Sequence, residues 1–356
     1  MTITRTRFFI PRVPITRGYI GVQNDVTKLT VLDSLLLYSN GGPKFSEISW
    51  PGGYNNPKIQ LRRRRMAEEL VGIIGGTGLG DELAGLITDT KKEDVRTPFG
   101  KPSSPILSGK IGERKVAFMN RHGPGHVLGP SEVPYTANIF ALKKLGATTL
   151  IASGAVGSLK EEIAPRVLVV ADHFIDKTFH RQSSFFTDFG AVHCELAQPT
   201  CMRLRKAIVA SAEGMDAKVH DGGVYVCMEG PQFSTRAESL MHKIWGGDLI
   251  GMTAMPEAKL AREAQMCYAL IALVSDYDCW KEHDPAVKKQ DLLEEIITNL
   301  QAATQNAVEL IKAVLQSGEP LCSNDCPCRK SLELAVWTKP EKLDPAKRKS
   351  LDVLFK

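Results

Sequence analysis

The sequence predicts an α/β fold: a single domain with a central, mixed but mostly parallel β-sheet flanked by helices on both faces. Three observations lead there. Continuous apolar runs such as Met266–Val274 (MCYALIALV) lack the apolar–polar alternation of a half-exposed strand, and so read as strands buried on both faces. Stretches with helical spacing lie between these runs, as in a chain that crosses over a parallel sheet. Residues able to carry chemistry gather where the runs end, and ligands in such folds sit beyond the carboxyl ends of the strands.

Taken in order, LVGIIGG from Leu70 is a short β-branched run ending in glycines, and RKVAFMN is the next strand. VPYTANIFALKKLG has helical spacing and ends on Gly146, a suitable C-cap. TTLIAS, RVLVVAD, GGVYVCM and DLIGM read as strands. Pro256–Gln265 (PEAKLAREAQ) reads as a helix, with proline tolerated in its first turn. The strand CYALIALV follows, and residues 290–316 carry the amphipathic spacing of a C-terminal helix. No internal repeat is present.

Residues 1–65 differ from the rest. They are basic and Gly/Pro-rich, they end in Arg62–Arg65, and their first 24 residues hold no acid. They read as a disordered extension, with a transit peptide or localisation patch as the alternatives and Met66 as a candidate start of the folded part. The domain proper then runs over 66–316, with a tail over 317–356. The net charge of +5 belongs to the extension: residues 1–70 hold 11 Lys/Arg against 5 Asp/Glu, leaving 34 against 35 in the remainder. A neutral body argues against a nucleic-acid partner. No apolar run approaches the ~20 residues that span a bilayer, so no membrane role is expected, and a cytoplasmic location is the default, with nuclear or organellar routing left open. Of the eight cysteines, Cys322, Cys326 and Cys328 crowd together in the tail. No second Cys/His cluster of familiar spacing completes a metal set with them, so they read as free surface thiols.

The chemistry sits at strand ends. Val71–Gly80 (VGIIGGTGLG) is a strand running into a Gly-rich turn, where backbone N–H groups and the Thr77 hydroxyl can approach an anion. It lacks both the P-loop Lys and the dinucleotide glycine spacing, and a tight turn without ligand is an equal reading. Met119–His126 (MNRHGPGH) offers the planar fork of Arg121 beside the donor of His122, a pairing suited to phosphate. Ser153–Leu159 (SGAVGSL) is a third turn of small and hydroxyl residues. In Cys227–Ser239, Glu229 closes a strand and Phe233-Ser234 opens a helix, so the ring is placed to stack on a flat ligand or to join the core. Gly251–Glu257 puts Met252 and Thr253 at another strand end. Finally, SDYDCWKEH places Asp276 and Asp278 two residues apart, on the same side if the chain stays extended. Two such acids suit a heterocycle that must be bound or protonated, a divalent metal, or merely a turn.

In this order the motifs resemble the trimeric purine nucleoside phosphorylase superfamily, nearest to its methylthioadenosine-cleaving branch. VGIIGGTGL, TPFGKPS, NRHGPGH, VPYTANIFALKKLG, GSLKEEIAP, FIDKT, EGPQFSTRAES, MTAMPEAKLAREA and SDYDCWKEH carry the resemblance, over roughly Met66 to Gln316. It implies that Thr77, Arg121, His122, Ser153, Gly154, Ala155 and Thr253 hold inorganic phosphate, as co-substrate rather than cofactor. It implies that Met252 packs on the ribose and that Phe233, Ser234, Ser275, Asp276 and Asp278 meet the base. Asp276 would protonate the departing purine with Asp278 assisting, two acids suiting a 6-aminopurine. No metal or other cofactor is implied.

His193 would reach a neighbouring subunit's 5′ pocket, beside Lys289, Leu292 and Leu293, which implies a homotrimer. Three departures stand out: Gly154 where such relatives carry threonine, Ser275 in place of threonine, and Lys288-Lys289 where small apolar residues are usual. The implied reaction is phosphorolysis of 5′-methylthioadenosine to adenine and 5-methylthioribose 1-phosphate. The alternatives are a broader adenosine or purine phosphorylase, a nicotinamide oxidoreductase (for which the fingerprint is missing) and a silent nucleoside-binding protein.

Overall fold

A computed structural model describes residues 69–356 except Thr77, His283 and Pro285. The extension with Arg62–Arg65, the candidate start Met66 and the anion-binding candidate Thr77 lie outside the described residues.

Strands β1 (Leu70–Gly75), β2 (Thr88–Glu93), β3 (Ile106–Ile111), β4 (Arg114–Asn120), β5 (Ala147–Ser158), β6 (Leu168–Ala171), β7 (His173–Lys177), β8 (Val219–Asp221), β9 (Val224–Met228), β10 (Leu249–Gly251) and β11 (Cys267–Tyr277) form one 11-stranded mixed sheet. The order runs β2-β3-β4-β1-β5, and at the long β5 the sheet forks. One edge of β5 pairs throughout with parallel β11, which continues through antiparallel β6 to β8. The other edge pairs first with β1 and then, at Gly157 and Ser158, with β10, which leads on to β9 and β7. The fork leaves the end of β5 bordered by the ends of several strands.

The helices are α1 (Leu79–Gly85), α2 (Tyr135–Lys144), α3 (Met202–Ala210), α4 (Arg236–Ile244), α5 (Glu257–Glu263), α6 (Lys289–Gln316) and α7 (Pro345–Ser350). The unbroken apolar run in β11 is explained by the layers. Tyr268, Leu270, Ala272 and Val274 face one core with α2 and α5, while Cys267, Ala269, Ile271 and Leu273 face a second core with α6. With both faces covered, no position is left for a polar residue until Ser275.

Two differences from the sequence reading concern the C-terminal tail. Residues after 316 pack into both cores, Leu321, Cys326 and Cys328 into one and Leu332, Ala335, Leu351 and Leu354 into the other. Buried Arg114 holds this turn in place, donating to Glu69 and to the carbonyls of Leu315 and Glu319. The surface-thiol reading is therefore wrong: Cys326 and Cys328 are buried and Cys322 is half-buried. The sequence could not show that the tail folds back over the start of β11.

Candidate active site

Arg121 leaves β4 with no exposed surface, and its fork is already engaged. Nε and Nη2 donate to the two Glu257 oxygens at 2.9 and 3.0 Å, and Nη1 donates to the Ser153 carbonyl at 2.7 Å. Burial opposes the guanidinium charge, but the bidentate Glu257 partner outweighs it and holds Arg121 above its ordinary pKa. Glu257 is the first residue of α5, 1% exposed, and also accepts from Tyr268. The sequence reading missed it. The available signal was that a permanent charge closing an apolar strand needs a buried carboxylate, but nothing in the sequence said which.

Around this pair three strand ends meet. The Gly76 N–H donates to Ser153 Oγ at 3.3 Å, so the buried Ser153 hydroxyl ties the Gly-rich turn to β5. A Cβ built on Gly76 would lie 3.2 Å from Arg121 Nη1, and one on Gly154 would lie 3.1 Å from Thr253 Oγ1 and 4.0 Å from Arg121 Nη1. Gly76, Arg121, Ser153, Gly154 and Thr253 are thus brought together, with Ala155 next along β5. Gly78 takes φ +87°, a left-handed conformation that turns the chain into α1. A cavity of about 200 Å³ opens beside the Gly-rich turn, lined by Gly75, Gly76, Gly78, Asn120, His122 and His126 among others, with Arg121, Ser153, Gly154 and Thr253 outside its lining. The space is large enough for several waters or a small anion.

His122 is buried and its ring stacks on His126 with centroids 4.2 Å apart. Its Nδ1–H donates to the Leu128 carbonyl at 2.9 Å. Burial, aided by Arg121 and His126, pushes its pKa down to about 4. The ring is therefore neutral near pH 7, and with the proton on Nδ1 its Nε2 is an acceptor. It can take a hydrogen bond from the hydroxyl of a hydrogen phosphate.

The acids lie farther along β5. Asp276 is level with Gly157 after a register shift that follows Val274, and it accepts from the Ser275 hydroxyl at 2.6 Å. Asp278 lies past the strand end, its N–H donating to the Ser158 carbonyl. The simple alternation expected of two residues on one extended strand is therefore broken by the bulge and the turn. Both acids still flank Gly157, with Asp278 Cβ 3.3 Å from a Cβ built there. Asp278 Oδ2 is buried without a hydrogen-bond partner among the described residues, as is His242 Nδ1. His242 is held below its ordinary pKa, first by burial and then by Lys177, whose Nζ lies 2.9 Å from Nε2. Lys177 donating to Nε2 leaves the proton on the unpartnered Nδ1.

Arg181 is a second residue that the sequence reading missed. Its guanidinium donates to the carbonyls of Glu229, Met252 and Met255 at 2.6 Å and to the Glu229 carboxylate at 3.2 Å. It thereby fastens the end of β9 to the turn carrying Met252 and Thr253. Burial would raise Glu229, but Ser131, the N–H groups of Phe179 and His180, and Arg181 bring it down to about 2. Phe233 is 85% exposed, and Ser234 contacts Met228 sulfur. His193 is exposed with its ring against Trp337, and Lys289, Leu292 and Leu293 occupy the first turn of α6, with Leu293 57% exposed. Phe233 and these 5′-pocket candidates are not gathered with the cradle by any contact within the described chain.

The family model for the phosphorylase superfamily matches residues 70–316. Among similar proteins is an S-methyl-5′-thioadenosine phosphorylase from Cereibacter sphaeroides, 46% identical over 285 residues, 80% of this chain and 97% of the relative. Another of the same name from Bradyrhizobium diazoefficiens is 43% identical over 291 residues, 81% of this chain and 98% of the relative. Among solved structures, a methylthioadenosine phosphorylase from an Antarctic soil metagenomic library superposes with TM-score 0.71 at 40% identity, covering 80% of this chain and 98% of that one. Methylthioadenosine phosphorylase from Schistosoma mansoni in complex with adenine gives 0.68 at 34%, covering 76% and 99%. With the residues around Arg121 and the acid pair gathered near the carboxyl ends of the strands of one sheet, these matches establish that the chain belongs to the phosphorylase superfamily, among its S-methyl-5′-thioadenosine phosphorylases.

Proposed function

We propose that this protein cleaves 5′-methylthioadenosine with inorganic phosphate, giving adenine and 5-methylthioribose 1-phosphate. The observation that carries this is the spacing along β5. Gly154 in the cradle and Gly157 between the acids are three residues apart, about 10 Å at ~3.3 Å per residue. A phosphate under a sugar at one end and its base at the other can both be reached along that span.

Breaking the N-glycosidic bond leaves positive charge on the sugar and negative charge on the purine. Phosphate held by the Gly76–Gly78 turn, Arg121, His122 and Thr253, with Thr77 and backbone donors around Ser153, Gly154 and Ala155, stabilises the sugar and then bonds to its anomeric carbon. The paired Arg121–Glu257 unit is net neutral, so phosphate relies on many preorganised donors rather than on one free cation. Met252 lies against the ribose, and Phe233, Ser234 and Ser275 border the base. Asp276, oriented by Ser275, supplies the proton to the leaving base, and Asp278, with its unpartnered oxygen, accepts from the exocyclic amine. The chemistry calls for no cofactor.

His193 and the α6 group Lys289, Leu292 and Leu293 would form the 5′ pocket across a subunit boundary. We infer a homotrimer on this ground, supported by exposed Val127 (71%), Phe179 (73%) and Phe233 (85%). Lysine at 288 and 289 favours, as a second reading, a pocket that also admits adenosine.

Adenine release from methylthioadenosine, adenosine and inosine, each with and without phosphate, tests the reading. Methylthioadenosine turning over only with phosphate is expected, with Asp276→Asn slowed by roughly 10²–10⁴-fold, the usual worth of a general acid. Phosphate-independent release, preference for inosine or a fully active Asp276→Asn would refute it, and a fully active monomer in sedimentation would refute the trimer.

A further inference from the structure

On the side of the sheet covered by α6, away from the cradle, four buried cysteines from three distant parts of the chain point at one place. Cys201 precedes the first turn of α3, Cys267 begins β11, and Cys326 and Cys328 flank Pro327 in the tail. Their four sulfurs all lie within 4.8 Å of one another. The Cys201–Cys326 and Cys267–Cys326 separations are 3.7 and 3.6 Å. We propose that these four residues form a structural zinc site, Cys201, Cys267, Cys326 and Cys328, that clamps the C-terminal tail to the catalytic domain.

The geometry favours a single ion. A tetrahedron with Zn–S bonds of ~2.3 Å has edges of about 3.8 Å, close to the two separations above. A disulfide needs ~2.05 Å between sulfurs, and pairing any two of the four would still leave two thiols buried beside it. Iron–sulfur clusters place their thiolates on different irons, which the compact set does not suit. An all-sulfur tetrahedral set selects a soft or borderline cation such as zinc. Cys201 adds a favourable field, because the N–H groups opening α3 stabilise a thiolate. Binding converts four thiols to thiolates and releases their protons. Cys322, 3.3 Å from Cys267, lies outside the set, and its thiol donates to the Ser323 carbonyl.

The location gives the ion a purpose. The chain after Cys328 returns across the domain: Arg329 donates to the Gln265 carbonyl, Ser331 to that of Arg262, and Gln265 to that of Leu354. It then pairs with the segment bearing His193, through Val336 with Val192 and through the His193 N–H to the Ala335 carbonyl. Clamping the tail therefore fixes the segment that presents His193.

The test is elemental analysis of the full-length protein purified in reducing buffer, as isolated and after exposure to zinc or cobalt. One zinc per chain is expected, and cobalt should give the intense visible bands of a tetrahedral tetrathiolate. The double variant Cys326→Ser/Cys328→Ser should lose most of the metal and melt roughly 5 °C or more lower, about 2–4 °C per kcal/mol for a domain near this size. Cys279→Ser, outside the set, should keep its zinc. The proposal is overturned by no metal after zinc exposure, by disulfides among these cysteines in non-reduced peptide maps, by iron instead of zinc, or by unchanged metal in the double variant. Because the cobalt spectrum is read on the unaltered protein, a double variant that fails to fold does not shield the idea.

Discussion

Gly154→Thr puts the phosphate cradle to a direct trial. The new Cβ would lie 3.1 Å from Thr253 Oγ1 and 4.0 Å from Arg121 Nη1, with no other described residue beyond its chain neighbours within 4 Å. The added hydroxyl therefore enters the space we assign to phosphate. A hydrogen bond to a charged group is worth ~1.5–3 kcal/mol. Against it, Thr253 must give by a few tenths of an ångström, and turning its side chain off its preferred rotamer costs ~0.5–1.5 kcal/mol. The balance is about 1 kcal/mol, or about a fivefold lower phosphate KM since ~1.4 kcal/mol is tenfold. Phosphate KM would be measured at saturating nucleoside, with Gly154→Ser supplying the hydroxyl without the branching methyl. If both variants fold and both leave phosphate KM unchanged or raised, no phosphate oxygen is within reach of position 154, and the cradle has been misplaced.

Two further expectations follow from buried carboxylates. Glu257→Gln leaves Arg121 buried without its counter-charge, which should cost about 3–5 kcal/mol in urea unfolding and raise phosphate KM; a variant as stable as the parent would show that the pair does not organise the site. Glu263, buried and pushed up to about 7 by burial, costs stability when ionised. The protein should therefore lose stability as pH rises from the unfolded carboxylate range near 4.5 through 7, by about 3 kcal/mol in full. Glu263→Gln, keeping the acceptor for the Phe185 N–H, should be flat across that window and more stable at pH 8. Identical urea midpoints for the two proteins at pH 5 and pH 8 would remove this account.

Strand and helix positions were legible because two covered faces leave a local signature, and β11 shows it: the four consecutive pairs over Cys267–Val274 can all be apolar only if alternate residues enter different cores. The chemical types at the strand ends were legible too, since Arg121, His122, Asp276 and Asp278 are unusual where an apolar run stops. The strands β2, β3, β7 and β8 were not read, being polar, mixed or too brief to carry a period. Asp276 and Asp278 show where local reasoning stops, because the bulge after Val274 and the turn at Asp278 are set by pairing with β5.

The amino-acid order by itself determined that a two-face-covered sheet would present Gly-rich turns, an Arg–His pair and two acids where its strands end. Tertiary structure alone decided the partners: Glu257 for Arg121, the carbonyls gathered by Arg181, and the meeting of Cys201 and Cys267 with Cys326 and Cys328. Each partnership joins residues tens to more than a hundred positions apart. A buried charge or thiol advertises its need for a partner through its own chemistry, but which residue meets that need depends on how the chain closes in space.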